Sequence, residues 1–335
     1  MRKLALKSKI ILEYLDKFPN TFSRTLARII YRDTKPLFDN EDQARTYIRM
    51  YRGALGDGHR QRVKNKKHFQ PINEFFINQF NLPESDADDF PPYQIDSKID
   101  RLLIMADMHI PYHDIEAITL VLNEGKKMGC NGILLDGDIL DCVQLSRFVH
   151  DPRERKFKEE VKMGIKFLAI LRKEFNCPIY YKLGNHEERY QKYMFIKAAE
   201  LIGIEEYNIE NILHFSDNNI KLIENQQIVM AGKLPIVHGH EFWPKISPSS
   251  ANTARGLFLR SSHTAICAHF HRTSENDTND MMGKLITTWS VGCLCALHPE
   301  YARINLWNHG FAVVDIFKDG SFMVHNRRIY KGKIL

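Results

Sequence analysis

Five short strings in this chain carry side chains that bind metals and move protons. They are Asp107-Met108-His109, Gly137-Asp138-Ile139-Leu140-Asp141, Gly184-Asn185-His186-Glu187, His238-Gly239-His240 and His269-Phe270-His271. Each follows an apolar run, so each is predicted to leave the end of a strand, where a loop can present polar groups to a cleft. Two divalent cations held roughly 3.5–4 Å apart need a shared anionic bridge, several neutral donors and positions left for water and substrate. Asp138 has the setting for that bridge, because it follows the apolar residues 133–135 and Gly137 removes bulk beside it. Asp107 and His109, two residues apart, leave an extended strand end on the same side, and His269 and His271 repeat that arrangement. Asn185 adds a carbonyl oxygen and His238 another imidazole. This donor mix suits Mn²⁺ first, then Fe, Zn²⁺ or Mg²⁺, better than a thiolate-seeking metal.

The elements that must position these groups follow from periodicity. Residues 101–106, 132–135, 179–183, 227–237 and 264–268 read as strands, and 115–128, 156–174 and 187–202 as helices. Strand, polar loop and helix in repetition is an α/β layout with function at the strands' C-terminal ends. Beyond His271, residues 285–291, 311–317 and 322–324 read as hairpin strands, with Lys318-Asp319-Gly320 as a turn. Residues 81–98 are acidic and proline-rich and are expected to be a linker. The domain reading is therefore a helical head at 1–80, a linker at 81–98 and a catalytic domain at 99–335.

Taken together, the D-x-H, G-D-x-x-D, G-N-H-E, H-G and H-x-H strings resemble the calcineurin-like metallophosphoesterase family over roughly residues 99–275. The resemblance implies a four-layer α/β/β/α sandwich with a dinuclear centre between its two sheets. It implies that one metal takes Asp107, His109, Asp138 and His271, and the other Asp138, Asn185, His238 and His269. His186 is then the non-ligand histidine that meets the leaving group, while a metal-bridging hydroxide attacks phosphorus. Chemistry agrees with these roles: metals lower the pKa of bound water and offset phosphate charge, and imidazole suits general-acid work. Asp141 is expected to orient an imidazole rather than to bind metal. Arg189 is expected either to touch phosphate or to form a salt bridge on a helix surface, and His240 to line the site. One departure stands out. The family's last string usually opens with glycine, and here the residue is Ala268.

Composition bounds the rest. The chain has 335 residues, 44% apolar and 26% charged, enough for one large domain and a small one. No stretch approaches the roughly 18 apolar residues of a membrane span, and no signal-peptide core is present, so a cytoplasmic protein without a membrane partner is expected. The six cysteines are scattered, with one C-x-C at Cys293 and Cys295, and read as buried reduced thiols. Residues 1–70 hold 17 basic against 7 acidic residues, or +10; the remainder holds 47 − 17 = 30 against 41 − 7 = 34, or −4.

Three short helices are predicted in that basic head. They cover 7–17, a stretch from Ser23 as N-cap, and a third capped by Asp39 or Asn40 with Gly53 at its end. The third has an inner stripe of Ala44, Tyr47, Ile48 and Tyr51 and an outer stripe of Arg45, Arg49 and Arg52, a helix-turn-helix-like pattern that suggests nucleic acid as partner. The basic stretch 56–68 is expected to be too polar to pack. The alternatives for the head are a solvated arginine face or a protein dock. Overall, metal-dependent hydrolysis of a phosphodiester in nucleic acid is the leading expectation. Its rivals are a phosphomonoesterase or protein phosphatase, and a nucleic-acid-binding protein with a non-catalytic metal site.

Overall fold

Apolar runs alternating with charged loops divide the chain into two compact units, Met1–Gln94 and Ile95–Leu335. The computed structural model describes residues 6–18, 21–34, 37–55, 57–62, 66–69, 91–147, 156–224, 226–242 and 252–335. The first unit contains α1 (Leu6–Lys17), α2 (Ser23–Asp33), α3 (Glu41–Tyr51), α4 (Asp57–Arg62) and the short strand β1 (Tyr93–Gln94). Its core is the set of residues that helical spacing turns inward: Ile11, Leu15, Leu26, Ile30, Ala44 and Ile48, closed by Phe18 and Phe38. The Asn40 side chain caps α3 by accepting the Gln43 N–H at 2.8 Å.

Three expectations for this unit need correction. Ser23 is not an N-cap; it is the first residue of α2, and its hydroxyl accepts a hydrogen bond from Arg52 at 3.0 Å. Arg52 does not belong to an outer stripe with Arg45 and Arg49, being only 2% exposed. It lies one residue beyond α3, where the chain turns, and its guanidinium also donates to Phe18 O at 3.5 Å. Arg49 is exposed and Arg45 half-buried. The stretch 56–68 includes α4, and Arg60 stacks over the Phe69 ring at 4.9 Å. Of the expected linker at 81–98, residues 81–90 lie outside the described residues; Ile95, in the second unit, is buried and donates to Met230 O.

The second unit is built on two sheets. In the larger, the order is β13 (Lys333–Ile334), β12 (Phe322–Tyr330), β11 (His309–Ile316), β2 (Arg101–Met105), β3 (Gly132–Asp136), β4 (Ile179–Lys182) and β5 (Ile220–Ile223). Strands β2 to β5 run parallel, and β11 joins β2 antiparallel. Leu103, Met105, Ile133, Leu135, Ile179, Tyr181 and Val313 face one side with period two. There they meet α5 (Ile115–Lys127) and α6 (Phe157–Glu174) through Val121, Leu168 and Leu171. Alternate residues Leu102, Ile104, Leu134, Tyr180, Ala312 and Val314 are buried too, so both faces are covered.

The smaller sheet runs β6 (Val229–Ala231), β7 (Leu234–Val237), β8 (Ala265–Cys267), β10 (Leu285–Ser290), β9 (Ser274–Asn279). Its outer face packs on α8 (Thr253–Ser261) through Val237, Leu257, Ala265 and Cys267. Between the sheets, Asn326 of β12 donates to Ser274 O of β9 and Ser290 O of β10, both at 3.1 Å. Helices, sheet, sheet, helix give the four-layer α/β/β/α sandwich. The strand expected over 227–237 is a hairpin, because Gly232 at φ +60 turns the chain. No helix among the described residues is long and apolar enough to cross a membrane.

Burial of Arg52 gives a first test. Arg52→Ala should lower the stability of the N-terminal unit by about 1–3 kcal/mol, since two acceptors lose a buried donor. Arg49→Ala should change it by less than about 0.5 kcal/mol. Urea denaturation of both variants compares them, and equal effects would contradict the placement.

Candidate metal centre

Parallel strands place the polar strings together. Asp107 and His109 leave β2, Asp138 leaves β3 and Asn185 leaves β4; His238 leaves β7, and His269 and His271 leave β8. The larger and the smaller sheet thus both deliver donors to one gap at their C-terminal ends. The backbone there is unusual. Asp107, His109, Asp138, His269 and His271 have φ of 51°, 47°, 53°, 68° and 56°, a left-handed region that non-glycine residues rarely occupy. Strain of this kind persists only where surrounding bonds enforce it.

At Asp138 one carboxylate does that enforcing. Glu187, the first residue of α7 (Glu187–Lys197), is 1% exposed and turned inward. It accepts the backbone N–H groups of Asp138 (3.0 Å), Ile139 (2.8 Å), Leu140 (3.0 Å) and Gly184 (2.9 Å), and the Tyr181 hydroxyl (2.9 Å). The loops after β3 and β4 are therefore locked to each other. They touch so closely that a Cβ on Gly184 would meet Asp138 Oδ1 at 2.2 Å, and one on Gly137 would meet His238 Nδ1 at 2.6 Å. A second buried carboxylate holds the loop after β7. Glu241 accepts the N–H groups of His238 (2.8 Å) and Gly239 (2.6 Å) and an ion pair from the fully buried Lys182 at 2.7 Å.

These contacts also set which nitrogen each imidazole offers. His109 Nδ1 donates to Asp141 Oδ1 at 2.9 Å and His238 Nδ1 to Asp136 O at 2.6 Å, leaving each Nε2 to face the gap. His109 Nε2 and His271 Nε2 stand 3.1 Å apart, with Asp107 Oδ1 3.3 Å from the latter. His238 Nε2 lies 3.2 Å from Asp138 Oδ2. The donor atoms of Asp138, His238 and His269 all lie within 4.8 Å of one another. Asp107 Oδ1, Asn185 Oδ1, His238 Nε2 and His269 Nδ1 are buried without a hydrogen-bond partner, the condition a cation would relieve. The donors expected of two ions, Asp107, His109, Asp138 and His271 for one and Asp138, Asn185, His238 and His269 for the other, are brought to this one gap, and Asp138, His238 and His269 form one of its candidate ion-holding groups.

Electrostatics show how closely acids and imidazoles crowd here: burial lowers His271 and His238, yet Asp107 raises the first to about 10 and Asp138 raises the second, so these imidazoles hold protons that a cation would displace. Burial pushes Asp138 upward, but the adjacent His186 and His238 hold its carboxyl well below the usual range. Asp107 is likewise lowered, against burial, by His271. Burial and neighbouring His238 hold His269 down to about 3, so it is neutral, as a ligand must be. Asp136, behind the site, is pushed up to about 7 by burial, although Lys182 opposes this.

Around the ligands, the remaining candidates find specific partners. Asp141 orients His109 and lies 3.2 Å from His186 Nδ1, which donates to Asp141 O at 2.7 Å. His186 Nε2 is 3.8 Å from Asp138 Oδ2, beside the gap. Arg189 turns into the site rather than along the helix surface: it donates to Asp141 O and to His186 Nε2, both at 2.9 Å, and so holds the histidine. His240 pairs with Glu188 at 2.8 Å and stacks beside His238 at 5.2 Å, lining the site. Ala268 is fully buried, and its N–H donates to His238 O at 2.9 Å, so the extra methyl group leaves the loop in place. Arg45, Arg49 and Arg52 belong to the other unit. Sequence reasoning passed over Glu187, Glu241, Lys182 and Glu160. Only Glu187 carried a signal, its place inside a motif.

Paired ligand sets at the strand ends of a two-sheet sandwich define the class of dinuclear metallohydrolases. The sequence profile of the calcineurin-like phosphoesterase family matches residues 100–287, more than half of the chain, and the chain belongs to that family. It is a hydrolase family that acts on phosphoester bonds with two metal ions. The chain is similar to the Gene 54 protein of Mycobacterium phage L5, 24% identical over 229 residues that span 64% of this chain and 89% of that protein. Among solved structures it is similar to Vps29 from Entamoeba histolytica, with a TM-score of 0.37, 13% identity, and coverage of 70% of this chain and 96% of that one. It is also similar to a dimetal phosphatase from Danio rerio, with a TM-score of 0.34, 12% identity, and coverage of 68% and 95%.

Two predictions follow from the carboxylates. Glu187→Gln should weaken Mn²⁺ affinity about 10- to 100-fold, because one acceptor oxygen becomes a donor facing backbone N–H groups. Metal titration with elemental analysis measures this, and wild-type affinity would refute the locking role. Glu160, in α6, accepts the Cys142 N–H at 2.6 Å, and burial pushes its carboxyl up to about 8. Between its ordinary value and 8 the folded state holds a proton that the unfolded state has lost, so this group makes stability fall as pH rises through that window. Glu160→Gln should therefore flatten the decline between pH 5 and 8 in isothermal denaturation. An unchanged slope would contradict the assignment.

Proposed function

We propose that the protein hydrolyses phosphodiester bonds in nucleic acid, using Mn²⁺ at the two-metal centre, with the basic N-terminal unit as a tether. Two divalent cations held by the seven ligands supply charge neutralisation for a phosphate and activation of water. The chain's own residues do the rest. Asp107 and Asp138 fix the charge of the site, while Asp141 and Arg189 orient His186. With Arg189 donating to it, His186 Nε2 presents a lone pair in this arrangement. Proton delivery to a leaving oxygen requires Nε2 to take up a proton, which Asp138 and Asp141 favour by raising the imidazole against burial, and Arg189 Nη2 to release it while Nη1 stays on Asp141 O.

The observation that carries the diester reading is this use of Arg189. A monoester dianion calls for an added cation fork, whereas here the guanidinium touching the site is committed to Asp141 O and His186 Nε2. A diester, with one negative charge, makes the smaller demand. The +10 balance of residues 1–70, with Arg49 exposed on α3, supports a polyanionic substrate over a small one.

Hydrolysis of a chromogenic phosphodiester and the matching monoester in Mn²⁺ tests this directly. Faster diester turnover is expected, falling by about 10²- to 10⁴-fold in His186→Ala. Preference for the monoester would overturn the proposal.

A further inference from the structure

The loop between the smaller sheet and β11 carries side chains that the metal centre does not use. Tyr301 is 77% exposed, Ile304 100% and Leu306 69%, and Trp307 is half-buried beside them in sequence. This loop is tied internally. Asn305 Nδ2 donates to Leu297 O and Ala302 O at 2.5 and 2.6 Å, and Asn305 Oδ1 accepts the Trp307 N–H at 2.8 Å. It is also tied to the site. Asn308 N donates to His271 O at 2.9 Å, and the Trp307 ring meets the His271 imidazole edge-on at 4.1 Å between centroids. Tyr301 stands edge-on to Trp307 at 6.2 Å, and its hydroxyl lies within electrostatic reach of Asp141 and Arg189. Where the loop begins, Ala296 N donates to Tyr112 O, and Tyr112, three residues from His109, is 42% exposed.

We infer that Tyr301 and Trp307 form a stacking subsite for the nucleobase next to the scissile phosphate. This rests on the nucleic-acid reading of the same centre. A hydrogen-bonded loop that exposes aromatic side chains to water beside a phosphate-binding gap gains nothing in folding from that exposure. Every nucleobase offers a flat face, and stacking on an aromatic side chain tolerates any sequence. The position also matches: Trp307 touches a metal ligand, so a base stacked there belongs to a nucleotide whose phosphate reaches the metals. The subsite thereby favours nucleotide diesters over simple alkyl diesters.

The test is calorimetric binding of thymidine 5′-phosphate and of deoxyribose 5-phosphate to the Mn²⁺-loaded full-length protein. The base-bearing ligand should bind tighter. Tyr301→Ala should reduce that advantage by roughly five- to hundredfold, and Trp307→Phe, which keeps an aromatic face, should retain most of it. Metal content of each variant is measured alongside, so a fold or metal defect is separated from a lost stack. Equal affinity for the two ligands in the wild type, or an advantage unchanged in Tyr301→Ala, would overturn the subsite. So would concentration-dependent dimerisation abolished by Ile304→Ser, which would make the ledge a contact between copies. Inorganic phosphate release is assayed in the same samples, so failure of the phosphodiesterase reading appears as phosphate release or in the chromogenic assay, and failure of the subsite as a lost base preference.

Discussion

The buried Glu187 carboxylate is the contact on which this centre depends. A carboxylate removed from water needs several donors, and here four backbone N–H groups and a tyrosine hydroxyl supply them. Those amides come from the two loops that hold Asp138 and Asn185. The need to satisfy one anion therefore fixes the spacing of two ligand-bearing loops. Because α7 starts at Glu187, the same residue joins this frame to the helix that carries Arg189.

The rest of the site follows the same logic of buried charge held by exact donors and close backbone. Lys182 and Glu241 form a pair sealed inside the protein, and Glu241 uses its remaining capacity on the amides of His238 and Gly239. A pair of this kind adds little net stability, but it dictates geometry, since removing either partner strands the other. Gly137 and Gly184 let the loops approach until no side chain fits between them. The left-handed ligand residues are the outcome. Strained backbone places five donor residues around one gap, with Glu187 holding the Asp138 amide and Asp107 the His269 amide.

Much of this was legible in the sequence, for identifiable reasons. Ligand strings follow strands such as Arg101–Met105 and Gly132–Asp136, whose unbroken apolar runs mark strands buried on both faces. Helices Ile115–Lys127 and Phe157–Glu174 announced themselves by periodicity and length. What was hidden lacked an apolar pattern. The edge strand Ser274–Asn279 (SENDTN) is wholly polar and exists because Leu285–Ser290 pairs with it. Arg52 read as a third surface arginine, because helical spacing cannot show that the chain turns at that residue. Lys182, Glu241 and Glu160 look like ordinary surface charges until tertiary structure supplies their partners. Arg189 showed its place near the motif but not its contact with His186.

The most direct test of the account is anomalous diffraction from crystals of the full chain equilibrated with Mn²⁺. The account predicts two peaks, one bounded by Asp107, His109, Asp138 and His271, the other by Asp138, Asn185, His238 and His269, with Asp138 shared. A single peak at saturating metal, or two that do not share Asp138, would contradict it.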